Sequence, residues 1–234
     1  MQLDADASAA GAVLRESGYH LETVIHPFML GHQLDAGADV FATEQARLNQ
    51  TIALSAELGA RSIMFGSGGR AALTWEQAAE AFAEAIAPCL TVARQASIAL
   101  LIENTPTLYA HLNIALSLRD AVTLAEQAGV GICLDVFSCW TEAGIEETIS
   151  RAVPRCGLIQ IADYVPGDRA LPARAVPGDG TIPIRRMVEC ALTAGYEGAF
   201  DIELMGPRID AEGHLPAVRR SAEVLDTMLR ELGA

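Results

Sequence analysis

The sequence contains no lysine, and all 16 of its basic residues are arginine. This absence excludes enzymes that need a lysine amine, among them Schiff-base aldolases, pyridoxal-phosphate enzymes and P-loop nucleotide-binding proteins. Arginine can bind carboxylate or phosphate through its planar guanidinium, but it stays protonated and is a poor general base. Any carbonyl chemistry must therefore be activated by something other than an amine.

Positive charge is also scarce in total. The chain carries 30 acidic residues against 16 basic ones, which gives a formal net charge of −14. Proteins that bind nucleic acid use basic residues to neutralise the phosphates, so we expect no nucleic-acid partner.

Membrane and export signals are missing as well. No run reaches the roughly 18 apolar residues that a membrane span requires, and the first residues carry acids where a signal peptide would carry basic residues. The five cysteines form no CxxC pair, which argues against a zinc knuckle or redox motif and favours small buried side chains in a reducing compartment. We therefore expect a cytoplasmic protein without a membrane partner.

Short apolar runs of strand length alternate with longer segments of helical periodicity over residues 1–234, with no linker between them, which predicts a single domain. The predicted strands are His20–His26, Arg61–Phe65, Ser97–Glu103, Val130–Val136, Gly157–Ala162 and Ala199–Leu204. The predicted helices are Ala5–Ser17, Thr43–Leu58, Thr74–Gln95, Ile114–Ala128, Ile145–Val153, Ile184–Ala194 and Ala217–Leu232. Between them, Tyr164–Thr181 is rich in proline, glycine and arginine and is predicted to be a functional loop.

This alternation predicts a parallel α/β fold, either an open doubly wound sheet or a (β/α)₈ barrel. No GxGxxG turn follows the first strand, which weakens the nucleotide-binding form of the open sheet. A closed barrel would need two strands more than the six that the sequence shows.

Four successive predicted strands carry, at or within two residues of their last position, a polar residue that can ligate a metal. These are Glu103, Asp135, Gln160 and Glu203, and in a barrel the ends of the strands lie on one face. A carboxylate at the end of an apolar strand is costly unless it is paired, metal-bound or exposed. An all-oxygen donor set favours Mn²⁺ or Mg²⁺, while capping of the following helices or pairing with arginines remains the alternative.

The segments LIENTPTL, GICLDVFSCW, LIQIADYVPGDRALPARAVPGDGTIPI and GYEGAFDIELMGPRI resemble the sugar phosphate isomerase/epimerase family with the xylose-isomerase-like barrel. The resemblance implies a TIM barrel with one divalent metal, held at the positions of Glu103, Asp135, Gln160 and Glu203. Glutamine as the third of these ligands is similar to the hydroxypyruvate isomerase branch.

The sequence departs from the family pattern in two respects. The family often has Asp-x-x-His on its sixth strand, and here Ser138 stands in place of the histidine, which puts the choice of substrate in doubt. If Glu103 ends the fifth strand, the first two strands of the barrel are lacking. We expect a barrel of six recognisable strands whose open edge is covered in a homo-oligomer.

The resemblance implies an isomerase or epimerase that moves a proton next to a carbonyl through an enediolate, with Glu103 and Glu203 as the acid/base pair. The substrate would be a sugar, a sugar phosphate or a related hydroxy-carbonyl compound. Candidate substrate-binding residues are Arg169, Ser138 and His26 and, more weakly, Arg208 and Arg174. Asp163 is expected to order the following loop.

Two alternatives to this function remain open. A dehydratase acting on a polyol ketone would use the same metal and the same first proton abstraction, and a noncatalytic sugar-binding relative would use neither. A metal-dependent endonuclease on the same fold is disfavoured by the five histidines and the net charge of −14.

Overall fold

The computed structural model describes residues 7–234, and the predicted start of the first helix at Ala5 lies outside them. The chain divides into two compact units, with the boundary between Cys133 and Leu134. Among residues 7–234, no helix is long and apolar enough to span a membrane.

The first unit is a parallel sheet with helices between its strands. Its strands follow the order β1, β2, β3, β4, and their register pairs Val24 with Ile63, Ile63 with Leu100, and Leu101 with Gly131. The elements are α1 (Ala7–Ser17), β1 (Thr23–Ile25), α2 (Ala38–Glu57), β2 (Ser62–Phe65), α3 (Trp75–Gln95), β3 (Ala99–Glu103), a 3₁₀ turn (Thr107–Tyr109), α4 (Leu118–Ala128) and the start of β4 (Gly131–Asp135).

The core of this unit forms where the apolar strands meet the helices. All four residues of β2 are buried, as expected of a parallel strand that is covered on both faces. Next to it, Phe28, Phe65 and Phe82 form an aromatic cluster with ring centroids 5.7 to 6.4 Å apart.

Local signals in the sequence fix several helix ends. Thr74 and Gln77 form a capping box at the start of α3, and Gly129 ends α4 in the left-handed conformation that glycine adopts readily. The prediction that α2 starts at Thr43 is wrong, because the helix begins at Ala38, directly after the extended Gly37. The prediction that α4 starts at Ile114 is also wrong, since Ser117 caps a helix that begins at Leu118.

The second unit has a pair of parallel strands, β5 and β8, whose register aligns Leu158 with Ala199 and Gln160 with Asp201. Its elements after β4 are α5 (Val136–Cys139), α6 (Ile145–Ala152), a 3₁₀ turn (Val153–Arg155), β5 (Cys156–Ile161), β6 (Asp163–Tyr164), β7 (Arg174–Ala175), α7 (Ile184–Thr193), β8 (Ala199–Ile202), α8 (Pro207–Glu212) and α9 (His214–Leu232). The six predicted strands are confirmed as β1 to β5 and β8.

The long irregular stretch after β5 holds more structure than the sequence predicts. β6 and β7 pair as a short antiparallel hairpin within it. Strands of two residues are too short to show a period in the sequence, which is why the hairpin was not predicted.

Asp163 orders the turn that follows this hairpin, as predicted. Its carboxylate is buried and accepts backbone hydrogen bonds from Tyr164, Gly178, Gly180 and Ile182 at 2.8 to 3.0 Å. A Cβ atom at Gly180 would overlap the carbonyl oxygen of Tyr164, so glycine is required there. The path of the loop is therefore set by the Asp163 carboxylate and by the close contact between Gly180 and the backbone of Tyr164.

Candidate functional site

Glu103 is the last residue of β3 in the first unit, in register with Cys133. The three residues before it are buried and Glu103 is half-buried. The carboxylate of Glu103 therefore lies at the end of an apolar strand, where the following loop begins, as the sequence predicts.

A buried amide, that of Asn113, secures this strand end. Its Nδ2 donates to the carbonyl oxygen of Glu103 at 2.8 Å and to Thr105 Oγ1 at 3.1 Å. Its Oδ1 accepts from Ser67 Oγ at 2.8 Å and from the backbone N–H of Ser67 and Ala115, each at 3.2 Å. Asn113 therefore ties the end of β3 to the loop that follows β2.

His26 directly follows β1 and is 5% exposed. Its Nδ1 lies 2.9 Å from Thr51 Oγ1. Burial, aided by the charge of Arg47 and opposed by that of Glu44, lowers the pKa of His26 to about 4. The ring is therefore neutral near pH 7.

Asp135 is the last residue of β4, lies in the second unit and is 1% exposed. It also caps α5, since its Oδ1 accepts from the backbone N–H of Phe137 at 3.0 Å. Ser138, one turn along that helix, donates its hydroxyl to Asp135 Oδ2. The serine that replaces the family's histidine is therefore a hydrogen-bond partner of the predicted metal ligand.

Arg174, on β7, provides the positive charge that faces this carboxylate. Its guanidinium donates to Asp135 Oδ1 at 3.1 Å and to Oδ2 at 2.9 Å, and it lies 2.6 Å from Glu203 Oε2. It also lies over the ring of Phe137, 4.7 Å from the centroid. Arg174 is 6% exposed and Asp135 is 1% exposed, while the Glu203 side chain is half-buried. The three side chains form a largely buried cluster of one positive and two acidic groups.

Glu203 follows β8 directly and continues its ladder, because its N–H donates to the carbonyl oxygen of Ile161 at 3.2 Å. Burial raises the pKa of Glu203 to about 7; the charge of Arg174 opposes this shift, and Asp135 and Asp201 add to it. A carboxyl group that titrates near neutral pH can both remove and return a proton.

Gln160 on β5 and Asp201 on β8 are paired in the register of the two strands, and Asp201 is two residues before Glu203. Gln160 is 1% exposed and is hydrogen-bonded to Asp201. Burial raises the pKa of Asp201, while the bond from Gln160 and the charge of Arg174 favour its ionised form.

The donor set of the second unit fits a divalent ion that prefers oxygen. Carboxylate oxygens of Asp135 and Glu203 lie within 4.8 Å of each other, and both groups already face a cation, the Arg174 guanidinium. Hard oxygen ligands suit Mn²⁺ or Mg²⁺. Because the guanidinium occupies acceptor positions on both carboxylates, a metal bound there would compete with Arg174 for them.

Aromatic side chains lie next to the cluster. Tyr164 is 6.3 Å from Phe137 and 6.2 Å from Trp140, measured between ring centroids. Tyr164 also donates its hydroxyl to the carbonyl oxygen of Asp168 at 3.0 Å, which holds the ring in place.

Two of the arginines predicted to bind substrate lie outside this cluster. Arg169 is exposed in the loop between β6 and β7. Arg208, in α8, is 3.8 Å from Asp168 and its side chain is 44% exposed. Within residues 134–234, the guanidinium that contacts Asp135 and Glu203 is that of Arg174.

Sequence reasoning underrated Arg174 and missed Asp201. Arg174 was a weak candidate because its place in RAVPGDG does not show which carboxylate it meets. A signal for Asp201 was present, since it lies two residues before Glu203 and alternate strand residues share a face.

The comparisons with known proteins agree on the fold. The sequence profile of the xylose isomerase-like TIM barrel family matches residues 2–230. Protein SMc04130 from Sinorhizobium meliloti 1021 is 23% identical, with a TM-score of 0.82 over 97% of this chain and 83% of its own. No curated protein sequence matches the chain.

Two further solved structures are similar to this chain. The IOLI protein with a bound zinc atom is 12% identical, with a TM-score of 0.80 over 98% of this chain and 83% of its own. D-psicose 3-epimerase from Clostridium cellulolyticum H10, solved with D-tagatose, is 18% identical, with a TM-score of 0.78 over 97% and 83%. At these identities the similarity shows the TIM-barrel fold, which confirms the predicted fold class.

We predict that Asn113→Ala lowers the free energy of unfolding by about 3 kcal/mol, because it leaves several buried hydrogen-bonding groups without their partner. Urea denaturation followed by circular dichroism measures the change. Gln50→Ala removes an exposed amide from α2 and serves as the control, with a change below about 0.5 kcal/mol. Equal effects of the two variants would contradict the role given to Asn113.

We predict that Arg174→Met destabilises the metal-free protein by about 3 kcal/mol at pH 8, because it leaves Asp135 and Glu203 buried without a cation. The loss should be smaller at pH 5, where Glu203 is protonated. Chemical denaturation at both pH values tests this. The control, Arg185→Met, breaks an exposed pair with Glu231 and should cost less than about 1 kcal/mol at either pH.

We predict that stability falls as the pH drops from about 6.5 to about 4, in part because of His26. In this window the unfolded chain protonates this histidine while the folded protein keeps it neutral. His26→Gln should reduce the slope of unfolding free energy against pH, whereas His214→Gln, at an exposed position, should leave it unchanged. An unaltered slope in His26→Gln would show that the buried ring contributes nothing.

Proposed function

The chain belongs to the xylose isomerase-like TIM barrel family, and from that premise we propose that it is a divalent-metal-dependent isomerase or epimerase. Its substrate class is a sugar, a sugar phosphate or a related hydroxy-carbonyl compound. The observation that carries the proposal is a pair of strand-end carboxylates, the buried Asp135 and the half-buried Glu203, facing one guanidinium. Strand ends of this fold are where catalytic residues are found.

The similar structures support this substrate class. They include an L-ribulose 3-epimerase and the D-psicose 3-epimerase, each named as an epimerase acting at carbon 3 of a ketose, and the zinc-bound IOLI protein. For this chain we propose Glu103, Asp135, Gln160 and Glu203 as the metal ligands and Mn²⁺ or Mg²⁺ as the ion. The bound ion would polarise the substrate carbonyl and stabilise negative charge on its oxygen.

The proton-transfer steps are assigned to two glutamates. One of Glu103 and Glu203 removes the proton from the carbon next to the carbonyl. In an epimerase the other glutamate returns a proton to the opposite face of that carbon; in an isomerase a single face suffices. The positions of the two carboxylates support this role, because Glu103 ends β3 and Glu203 directly follows β8, and catalytic residues of this fold lie at strand ends.

Arg174 and Ser138 are proposed to act on the substrate oxygens. Arg174 stays protonated and can donate to a carbonyl or hydroxyl oxygen of the sugar. Ser138 cannot carry a proton near neutral pH, so it serves as a hydrogen-bonding group beside Asp135. Arg169, Arg208 and His26 remain proposed substrate-binding residues on the strength of the sequence.

The remaining proposals concern the context of the enzyme. We propose a cytoplasmic, single-domain protein that acts on a small molecule and has no membrane partner. We also propose that it has no nucleic-acid partner, because its net charge is −14. We also propose a homo-oligomer that covers the edge of β1, where Ile25 is 56% exposed.

The proposal is tested by incubating Mn²⁺-loaded protein with ketoses and with hydroxypyruvate in D₂O. We expect deuterium at the carbon next to the carbonyl in the wild type and a loss of exchange of at least about 10³-fold in Glu103→Gln and in Glu203→Gln. Glu231→Gln, which removes an exposed carboxylate from α9, should exchange at the wild-type rate. Mass spectrometry and NMR of the product separate epimerisation and isomerisation from loss of water.

Metal analysis of the same samples provides the second readout. We expect about one Mn²⁺ or Mg²⁺ per chain. A wild-type protein that binds no divalent ion, or that exchanges no substrate proton when loaded, would refute the proposed function and favour a noncatalytic sugar-binding role.

A further inference from the structure

The parallel pairing of β5 with β8 places three polar side chains on one face. The register sets Gln160 beside Asp201, and residues paired in this way point to the same side of a sheet. Asp201 and Glu203 are two residues apart along the same strand direction, so they also share a face. Asp201 is thus the residue before Glu203 on this face of the sheet, and it is adjacent to Gln160.

The contact between Asp201 and Gln160 has a definite chemical direction. An ionised carboxylate only accepts hydrogen bonds, and the amide group of glutamine donates only through its nitrogen. The hydrogen bond between the two residues favours the ionised form of Asp201, so the carboxylate accepts this bond and Gln160 Nε2 donates it. The amide oxygen, at the other side of the planar group, is directed away from Asp201.

The opposite orientation of the amide is disfavoured at this position. Rotating it by a half-turn would set its oxygen against the carboxylate, which places two acceptors together in a site where Gln160 is 1% exposed. Such a buried contact between acceptors loses the hydrogen bond and leaves both groups poorly solvated. Asp201 consequently selects one of the two orientations of the Gln160 side chain.

This selection matters for a metal ligand because only one atom of an amide can serve. The oxygen of glutamine coordinates hard cations, whereas its nitrogen carries two hydrogens and acts as a donor. Partners outside the ligand shell commonly orient ligands in this way, and histidine ligands donate their second N–H to a carboxylate for the same reason.

We propose that Asp201 is a positioning residue that holds the Gln160 amide with its oxygen, and not its nitrogen, toward the metal site. The inference rests on the proposed function, because it assigns a role within the same metal site. The inference also gives one explanation for two features of the sequence. These are the glutamine at the position of a predicted metal ligand, Gln160, and the additional acidic residue of the segment DIEL, Asp201.

The test measures Mn²⁺ affinity by isothermal titration calorimetry for the wild type and three variants. Asp201→Asn replaces the carboxylate by an amide that no longer selects the orientation of Gln160, so we expect the Kd to rise about tenfold or more. In the double variant Gln160→Glu with Asp201→Asn, the introduced amide donates to a carboxylate with two equivalent oxygens, and we expect a Kd within about threefold of the wild type. Asp226→Asn removes an exposed charge from α9 and should bind as the wild type does.

Thermal unfolding of each metal-free variant separates positioning from a structural role. We expect similar midpoints for Asp201→Asn and the double variant, with the affinities differing as described. A wild-type Kd in Asp201→Asn would overturn the inference and leave the proposed function standing. Equal weakness of both variants, with lowered unfolding midpoints, would overturn it in favour of a structural role. A wild type that binds no Mn²⁺ would overturn the proposed function and the inference together.

Discussion

The burial of Asp135 and the partial burial of Glu203 depend on a single guanidinium, that of Arg174. Two carboxylates removed from water repel each other and lose hydration, and both costs are reduced only by a cation held in good geometry. Arginine meets this requirement because its fork of donors reaches both oxygens of Asp135 and still contacts Glu203. A lysine ammonium is a compact point charge without this planar fork.

This requirement explains why the irregular stretch of the second unit is so closely structured. Arg174 lies on β7, β7 is held by pairing with β6, and the turn beyond β7 is held by Asp163. The position of the guanidinium therefore depends on the β6–β7 hairpin and on the turn that follows it. The corresponding arrangement in the first unit is simpler, since Asn113 binds the end of β3 directly.

The sequence predicted best those features that are local or periodic. Six strands were recognised because buried parallel strands are continuous apolar runs, and Thr74, Gln77 and Gly129 marked helix ends through short-range chemistry. The positions of Glu103, Asp135 and Glu203 at or just beyond strand ends followed from the same runs. The hairpin of β6 and β7 could not be predicted, because two-residue strands have no period.

The contacts of Arg174 and Asp201 could not be predicted for a different reason. Both depend on tertiary register: Arg174 is 39 residues from Asp135 along the chain, and Asp201 meets Gln160 only through the pairing of β5 with β8. Sequence spacing indicates which residues share a strand face, but it does not give the alignment of one strand against another. Arg169 was therefore ranked above Arg174 on its place in a motif alone.

The backbone path of the loop held by Asp163 does not depend on the identity of every side chain in the loop. Its turn is fixed by backbone N–H groups that meet one carboxylate, and the side chains of Asp179 and Thr181 add contacts to Arg220 and to the carbonyl oxygen of Tyr164. Variation is therefore left to exposed positions of the loop such as Leu171. Such positions can vary among descendants of this sequence while the frame is retained. The loop beside a buried charge cluster is thus a place where ligand preference can diverge during evolution without a new fold being required.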